Sequence, residues 1–434
     1  MSLKDKDFSS SVLWWGVPIL FTYISLIPFY YLSHVFKYTP LIIILIMSGF
    51  LVNRVFKTGL FKPSYINIAV YLFIGTTLFS GISLSYYRIS LAKALYYFIT
   101  GAALYFLVTS VSLSINKIRA FLQYAVILAS LVAAYGITTF IARKDFLFGG
   151  IYSHNVFFPQ SVHFAMGRIL SSLGHPVFLG SYLAILSPLF LFNLSLCQAK
   201  YKQFIAWILY LMVMLAVLLT FSGGAYLAFI VANSLLIFFL QNRQFAPMRK
   251  LRLFRLLCPS IVLAVFFIII AFTVTVDNRI VNNAIFKMLN PLFCGRVKFE
   301  GLLNLKPLTV RIDSLKTAWG ILKIHPLTGI GIGNISSGRY IPNKFAMDSI
   351  YLSIASESGL TGLIVFLFLN FAIFKKLLKH YKNPIAEENK LIILTLAACL
   401  VAFLVDSFYW DTLYHPTIRM LYWLIIAISI CARG

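Results

Sequence analysis

Long apolar runs separated by short polar breaks dominate the chain, and their lengths set the first expectation. They cover 12–33, 39–54, 64–84, 91–112, 120–142, 175–196, 204–221, 224–241, 256–276, 349–373, 391–408 and 416–432. About 20 apolar residues carry a helix across a bilayer core, and backbone hydrogen bonding leaves helices as the spanning form for such runs. The pattern therefore predicts an all-α polytopic membrane protein of about twelve transmembrane helices. The first run is long and aromatic for a cleaved signal peptide and has no A-x-A-like site after it, so it is expected to be retained.

Two longer polar stretches interrupt the runs, 143–174 and 277–348. Within the second, Ile312, Leu315, Trp319 and Leu322 recur at helical spacing, with Arg311, Lys316 and Lys323 between them. This predicts an amphipathic helix over 309–324, lying on the membrane or on the helix bundle. His325-Pro326 ends it, and Gly329, Gly331 and Gly333 read as a flexible turn. The chain then divides into N-terminal spans (1–142), central spans with an external segment at 143–174 (143–276), one large external loop (277–348), and C-terminal spans (349–434).

Composition fixes the class. Of 434 residues 60% are hydrophobic and 11% charged, where soluble domains carry about 25% charge. Basic residues gather in alternate breaks, among them Lys4, Lys57, Lys117, Arg119, Lys200, Arg249, Lys375 and Lys390. By the positive-inside rule these breaks, and the N-terminus, face the cytoplasm. The net charge of +25 is then mostly topological, and nucleic acid is not an expected partner. The large loop is the exception, because long loops cross regardless of charge. Its cations fit either an anionic partner or a solvated surface beside lipid head groups. The five cysteines show no C-x-x-C spacing, so neither a disulfide nor a metal cluster is expected.

Acidic residues on the external side and in the spans are few: Asp145, Asp277, Glu300, Asp313, Asp348, Glu357, Asp406 and Asp411. Ionisable groups inside spans are costly and mark function, which singles out Glu357 and Asp406; the alternative is a hydrogen bond holding two helices together. Asp348 sits at the mouth of the 349–373 run, where a carboxylate can take a proton from an attacking hydroxyl. Asp348 or Ser349 can equally cap that helix. Arg168 and Arg311 suit phosphate, which arginine binds in fork geometry, and fixed cations stabilise a departing pyrophosphate. Either arginine can instead snorkel at the interface. His175 and His325 each precede proline and read first as helix boundaries, and no H-E-x-x-H pattern points to a metal.

At these residues a resemblance enters. Arg168 through Gly174-His175-Pro176, Arg311 through Trp319 to His325-Pro326 and Gly329-Ile330-Gly331, and Asp348-Ser349 with Leu352, Glu357, Gly359 and Gly362 are together similar to the O-antigen ligase and O-antigen polymerase superfamily of bacterial membrane glycan transferases. Two departures stand out. Many ligases have histidine where this chain has Asp348, and Thr220-Phe221-Ser222-Gly223 lacks an arginine that the family places there.

The resemblance implies a GT-C-like membrane glycosyltransferase, without metal or cofactor, in the bacterial inner membrane. It would move a glycan from undecaprenyl-pyrophosphate to an acceptor hydroxyl, on lipid A-core or a growing glycan, at the periplasmic face. Arg168, Arg311, His175 and His325 would hold the pyrophosphate, Asp348 would activate the acceptor, and Glu357 would support Asp348. A polymerase of the same superfamily is the alternative within the family, and a secondary transporter the alternative of another class. Against the transporter stand the long external loop and the absence of an internal repeat.

Overall fold

The computed structural model describes residues 15–23, 25–26, 65–82, 100–110, 113–142, 168–241, 306–335, 347–383, 386–413 and 415–432. Every regular element among these residues is a helix, as the apolar runs require. In chain order they are α1 (Tyr65–Ile82), α2 (Thr100–Ser110), α3 (Ile115–Ala142), α4 (Pro176–Leu196), α5 (Lys200–Leu219), α6 (Gly223–Gln241), α7 (Lys306–Ile324), α8 (Ile350–Lys382), α9 (Glu387–Asp406) and α10 (Pro416–Cys431). Residues 15–23 are helical as well. Among the described residues seven helices are long and apolar enough to cross a membrane, and α2 and α10 are shorter apolar helices. The spans expected at 39–54 and 256–276 lie outside the described residues, as do 143–167, 277–305 and 336–346. The count of twelve rests on the sequence alone.

Helix α4 is the hub. It packs against α3, α5, α6, α9 and α10, and 83% of its span is buried, against 28% for α5. A helix apolar on every side belongs in the interior. In contrast α5 turns Tyr201, Phe204, Ile208 and Leu215 outward, the face that lipid would cover. Helices distant in sequence pair closely, α1 with α8, α2 with α10 and α6 with α9. Side-chain bonds join other pairs: Asn233 Nδ2 on α6 donates to Ser187 Oγ on α4 (2.7 Å), the Tyr105 hydroxyl on α2 to Asn67 Oδ1 on α1 (2.6 Å), and the Tyr422 hydroxyl on α10 to Asn370 Oδ1 on α8 (3.2 Å). Such bonds contribute about 0.6 kcal/mol each between membrane helices.

Helix α8 is broken. Gly359 has φ 71° and ψ −174°, a region that costs a residue with a Cβ of order 1–3 kcal/mol. The break frees carbonyls and an N–H that a straight helix would pair internally. The segment following α7 takes them up. Ile330 N–H donates to Ser356 O and Gly331 N–H to Glu357 O, both at 2.9 Å, while Leu360 N–H donates to Pro326 O at 2.8 Å. The Thr361 hydroxyl adds a bond to Leu327 O at 2.6 Å. Gly329, Gly331 and Gly333, at φ 63°, 88° and 75°, supply the left-handed turns this path needs. Residues 329–335 are all buried. The flexible turn expected from the glycines is instead a packed plug.

The first part of α8 lies across one end of the bundle. Its Ile350 N–H bonds Ser407 O at the end of α9 (3.0 Å), and the Glu357 carbonyl accepts from Ser80 near the end of α1. Helix α7 packs alongside α8 and stops before His325-Pro326, as the sequence predicts. The face that packs is not the stripe read from the sequence: Ser314, Ala318 and Ile321 are buried, while Ile312, Leu315 and Trp319 are exposed.

Alanine at Gly359 would drive its Cβ into the Leu327 carbonyl, and at Gly329 to 2.5 Å from Ser356 O. We expect Gly359→Ala and Gly329→Ala each to lose roughly 2–6 kcal/mol, combining a glycine-only backbone with overpacking. Gly75→Ala in α1, where a Cβ meets nothing within 4 Å, should be neutral or gain up to about 1 kcal/mol. Thermal unfolding in detergent would separate the two classes, and a Gly359→Ala protein melting like the Gly75→Ala protein would refute the role of the break.

Candidate functional site

The two ends of the bundle differ in charge and in backbone. One end carries Lys117, Arg119, Lys200, Lys202, Lys382 and Lys390, which the positive-inside rule assigns to the cytoplasm. The other end is built from irregular backbone: 168–175, the α5–α6 turn, 325–335, 347–349 and the α9–α10 turn. Ser171 donates to Val132 O and Ser172 to Ser25 O (both 2.7 Å), Thr139 donates to Leu170 O (2.7 Å), and Ile169 N–H donates to Leu219 O (2.9 Å). Residues 169–174 are buried, and these bonds take up several of their polar groups, as non-helical chain inside a membrane protein requires.

Arg168 opens this segment. Its Nε donates to Thr220 O at 2.9 Å and its Nη2 to Phe221 O at 3.4 Å. The guanidinium therefore clamps the α5–α6 turn, where Phe221 takes a left-handed φ of 48°. Burial lowers its pKa from the ordinary arginine value and the Tyr226 hydroxyl opposes that shift; an arginine still stays charged. Beyond the turn, α6 starts with Gly223-Gly224. A Cβ on Gly224 would come 2.6 Å from Tyr409 Cβ and 2.8 Å from Asp406 Oδ1, so this glycine lets the α9–α10 turn approach. Asp406 is fully buried and accepts from Trp410 Nε1 at 2.8 Å; the same N–H also reaches Ser181 Oγ at 2.9 Å.

Tyr409 carries the next link. Its ring lies under the Arg311 guanidinium, 4.7 Å from the centroid. One turn along α7, Ser314 donates to Asp348 Oδ2 at 3.0 Å. Arg168, Arg311 and Asp348 thus border one set of turns at one end of the bundle. Asp348 is not the helix cap that the sequence allowed. Ser349 occupies the N-cap of α8 without a side-chain capping bond, and its hydroxyl instead donates to Ser407 O at 3.2 Å.

The remaining sequence candidates lie elsewhere in this end. Glu357 stands nine residues beyond Asp348, about 13 Å along a helix, and its Oε1 accepts from Ile335 N–H at 3.4 Å. It braces the plug rather than Asp348. His325 follows the last residue of α7, roughly 20 Å along that helix from Arg311, and its carbonyl accepts from Gly329 N–H at 3.1 Å. A single pyrophosphate therefore does not bridge His325 and Arg311. His175 caps α4, its Nδ1 accepting from Val177 N–H at 3.2 Å. Its ring sits 4.8 Å from Phe178, which also contacts Trp410 and His415 at 5.0 and 4.1 Å.

Sequence reasoning missed Ser314, Tyr409, Trp410 and Arg419. Tyr409 and Trp410 at a helix end read as ordinary interfacial aromatics. Arg419 had a usable signal, an ionisable residue inside an apolar run; it is buried in α10, and its Nη1 donates to Leu413 O at 2.9 Å.

Residues 206–367 match the family described as O-antigen ligase. The matched stretch takes in the α5–α6 turn, Arg311, Asp348 and Glu357, but not Arg168 or the α9–α10 turn. The match supports the O-antigen ligase and polymerase superfamily, whose members are glycosyltransferase-type enzymes. No curated protein matches the chain.

The clamp yields a stability prediction. Lysine cannot bridge two carbonyls with one planar fork, so Arg168→Lys should cost about 1.5–3 kcal/mol, the value of a charged hydrogen bond. Melting of the variant at the wild-type temperature would show that the turn holds without the clamp.

Proposed function

We propose that this protein is an O-antigen ligase-type glycosyltransferase, which moves a glycan from undecaprenyl-pyrophosphate to an acceptor hydroxyl at the irregular end of the bundle. In this reading that end faces the periplasm of a bacterial inner membrane and the acceptor is lipid A-core. One observation carries the reading: Arg311 and Ser314 share a face of α7, and Ser314 holds Asp348, so a cation and a carboxylate flank one space.

The division of labour follows from what each group has left to offer. Tyr409 supports Arg311 through the guanidinium face, and no described residue accepts from its N–H groups. They are therefore available to two phosphate oxygens. Asp348 is half-buried, with Oδ2 engaged by the Ser314 hydroxyl and no bond to Oδ1 from the described residues. As general base it takes the acceptor proton while the hydroxyl oxygen attacks the anomeric carbon. The bond from that carbon to the pyrophosphate oxygen breaks, and undecaprenyl pyrophosphate leaves with the electron pair, its growing charge met by Arg311. Arg168 and His175 act by fixing the turns around the donor, since Arg168 spends its Nε and Nη2 on carbonyls and His175 spends Nδ1 on its helix.

Aspartate at position 348, where many ligases carry histidine, favours a second reading in which the acceptor is a growing glycan and the reaction is polymerisation. Purified protein supplied with a polyprenyl-pyrophosphate glycan and either lipid A-core or an oligosaccharide acceptor would decide between them by which one is extended. In the same assay Asp348→Asn should lower turnover by about 10²–10⁴, and Arg311→Ala by about 10²–10³. Ser314→Ala, which removes one neutral hydrogen bond, should cost no more than about tenfold. Undiminished transfer by Asp348→Asn at equal expression would remove it as the base.

A further inference from the structure

At the opposite, basic end a cavity of about 630 Å³ opens between α3, α4 and α5. Arg119, Gln123, Asn193, Gln198 and Lys202 line it, with Ile205 on its apolar side. No residue proposed for glycan transfer touches it. We propose that this cavity binds a phosphate group, presented in the membrane as the head group of an anionic glycerophospholipid.

The wall chemistry defines the ligand class. A guanidinium, an ammonium and three carboxamides offer many N–H donors, and no carboxylate is among the lining residues. That set suits a multi-oxygen anion, which arginine and lysine bind by charge-assisted bonds. Ala199 begins α5 without a side-chain capping bond, so the positive end of that helix also faces the cavity. The volume falls in the range of small-ligand pockets, roughly 300–1,000 Å³, and leaves room for a glycerol backbone beyond one phosphate. The lipid source follows from the rim. Ile205 is half exposed and continues into the outward row of Tyr201, Phe204 and Ile208 on α5, an apolar track on which acyl chains can lie. Basic pockets between membrane helices at the cytoplasmic side are where anionic head groups concentrate.

Glu388 supplies a test with a sign. Its Oε1 lies 2.5 Å from Arg119 Nη1, and both side chains are about two-fifths exposed (39% and 40%). Arg119→Gln and Glu388→Gln break the same ion pair, so any purely structural consequence moves both variants the same way. Binding of an anion separates them, because one variant removes a cation and the other removes its competitor.

The full-length protein would be reconstituted in nanodiscs of mixed phosphatidylcholine and phosphatidylglycerol, and the lipids it retains counted by native mass spectrometry. Wild type should retain phosphatidylglycerol in preference to phosphatidylcholine. Arg119→Gln and Lys202→Gln should each weaken retention about fivefold, the effect of one basic side chain near an anionic surface, while Glu388→Gln should strengthen it. Displacement of phosphatidylglycerol by inorganic phosphate would assign the same site to the phosphate group itself, and failure of phosphate to compete would assign it to the lipid. Equal retention by all four proteins, or parallel losses in Arg119→Gln and Glu388→Gln, would overturn the proposal.

Discussion

Inside a membrane protein every backbone N–H and C=O that leaves a helix must find a partner within the protein, because lipid supplies none. That constraint shapes the irregular end of this molecule. Gly359 interrupts α8 and exposes polar groups of Ser356, Glu357 and Leu360. The segment from Pro326 to Gly331 answers each with a backbone bond of its own. Three glycines with positive φ make the answering path possible, and a fourth makes the break. The plug has no helix of its own, and at the break Ser356, Glu357 and Leu360 pair with the plug instead of within α8.

The same arrangement positions the residues proposed for transfer. Because the first part of α8 is tied at Ile350 to the end of α9 and at Glu357 to the end of α1, Asp348 is held just before a fixed helix start. Helix α7 is attached at its far end through the plug and along its length through Ser314, Ala318 and Ile321. Arg311 and Asp348 thus inherit their spacing from packing across the bundle end, not from each other. On the other flank the buried 168–174 segment delivers Arg168 to the α5–α6 turn, and Gly224 brings the α9–α10 turn with Tyr409 against it. Groups held by rigid surroundings need little reorganisation when charge develops.

The sequence showed the helices plainly, since apolar runs of spanning length admit few other structures. It also placed the boundaries at His175-Pro176 and His325-Pro326, where proline forbids continuation on one side. The plug was not legible, because the partners of Ile330 and Gly331, Ser356 and Glu357, each stand 26 residues further on and turn signals are local. The packed face of α7 was missed for a related reason. Ser314 and Ala318 pack closely because they are small, while hydrophobic periodicity selects the larger Ile312, Leu315 and Trp319. For Asp348 the sequence allowed a cap, which the structure gives to Ser349 while pairing the Ile350 N–H with Ser407 O.

How Arg311 is held bears on what it can do. A carboxylate partner would fix the side chain but would cancel its charge and occupy its N–H edge, and an exposed ion pair contributes only about 0–1 kcal/mol. The Tyr409 ring contributes a comparable amount, about 0.5–1 kcal/mol at an exposed site, through the face of the guanidinium alone. Charge and donors both survive. Asp348, for its part, is oriented by the Ser314 hydroxyl, and among the described residues no cation pairs with it. Opposite charges kept near each other but bound to neutral neighbours form an arrangement that stability does not require. It becomes useful when an anion and a proton must be received side by side.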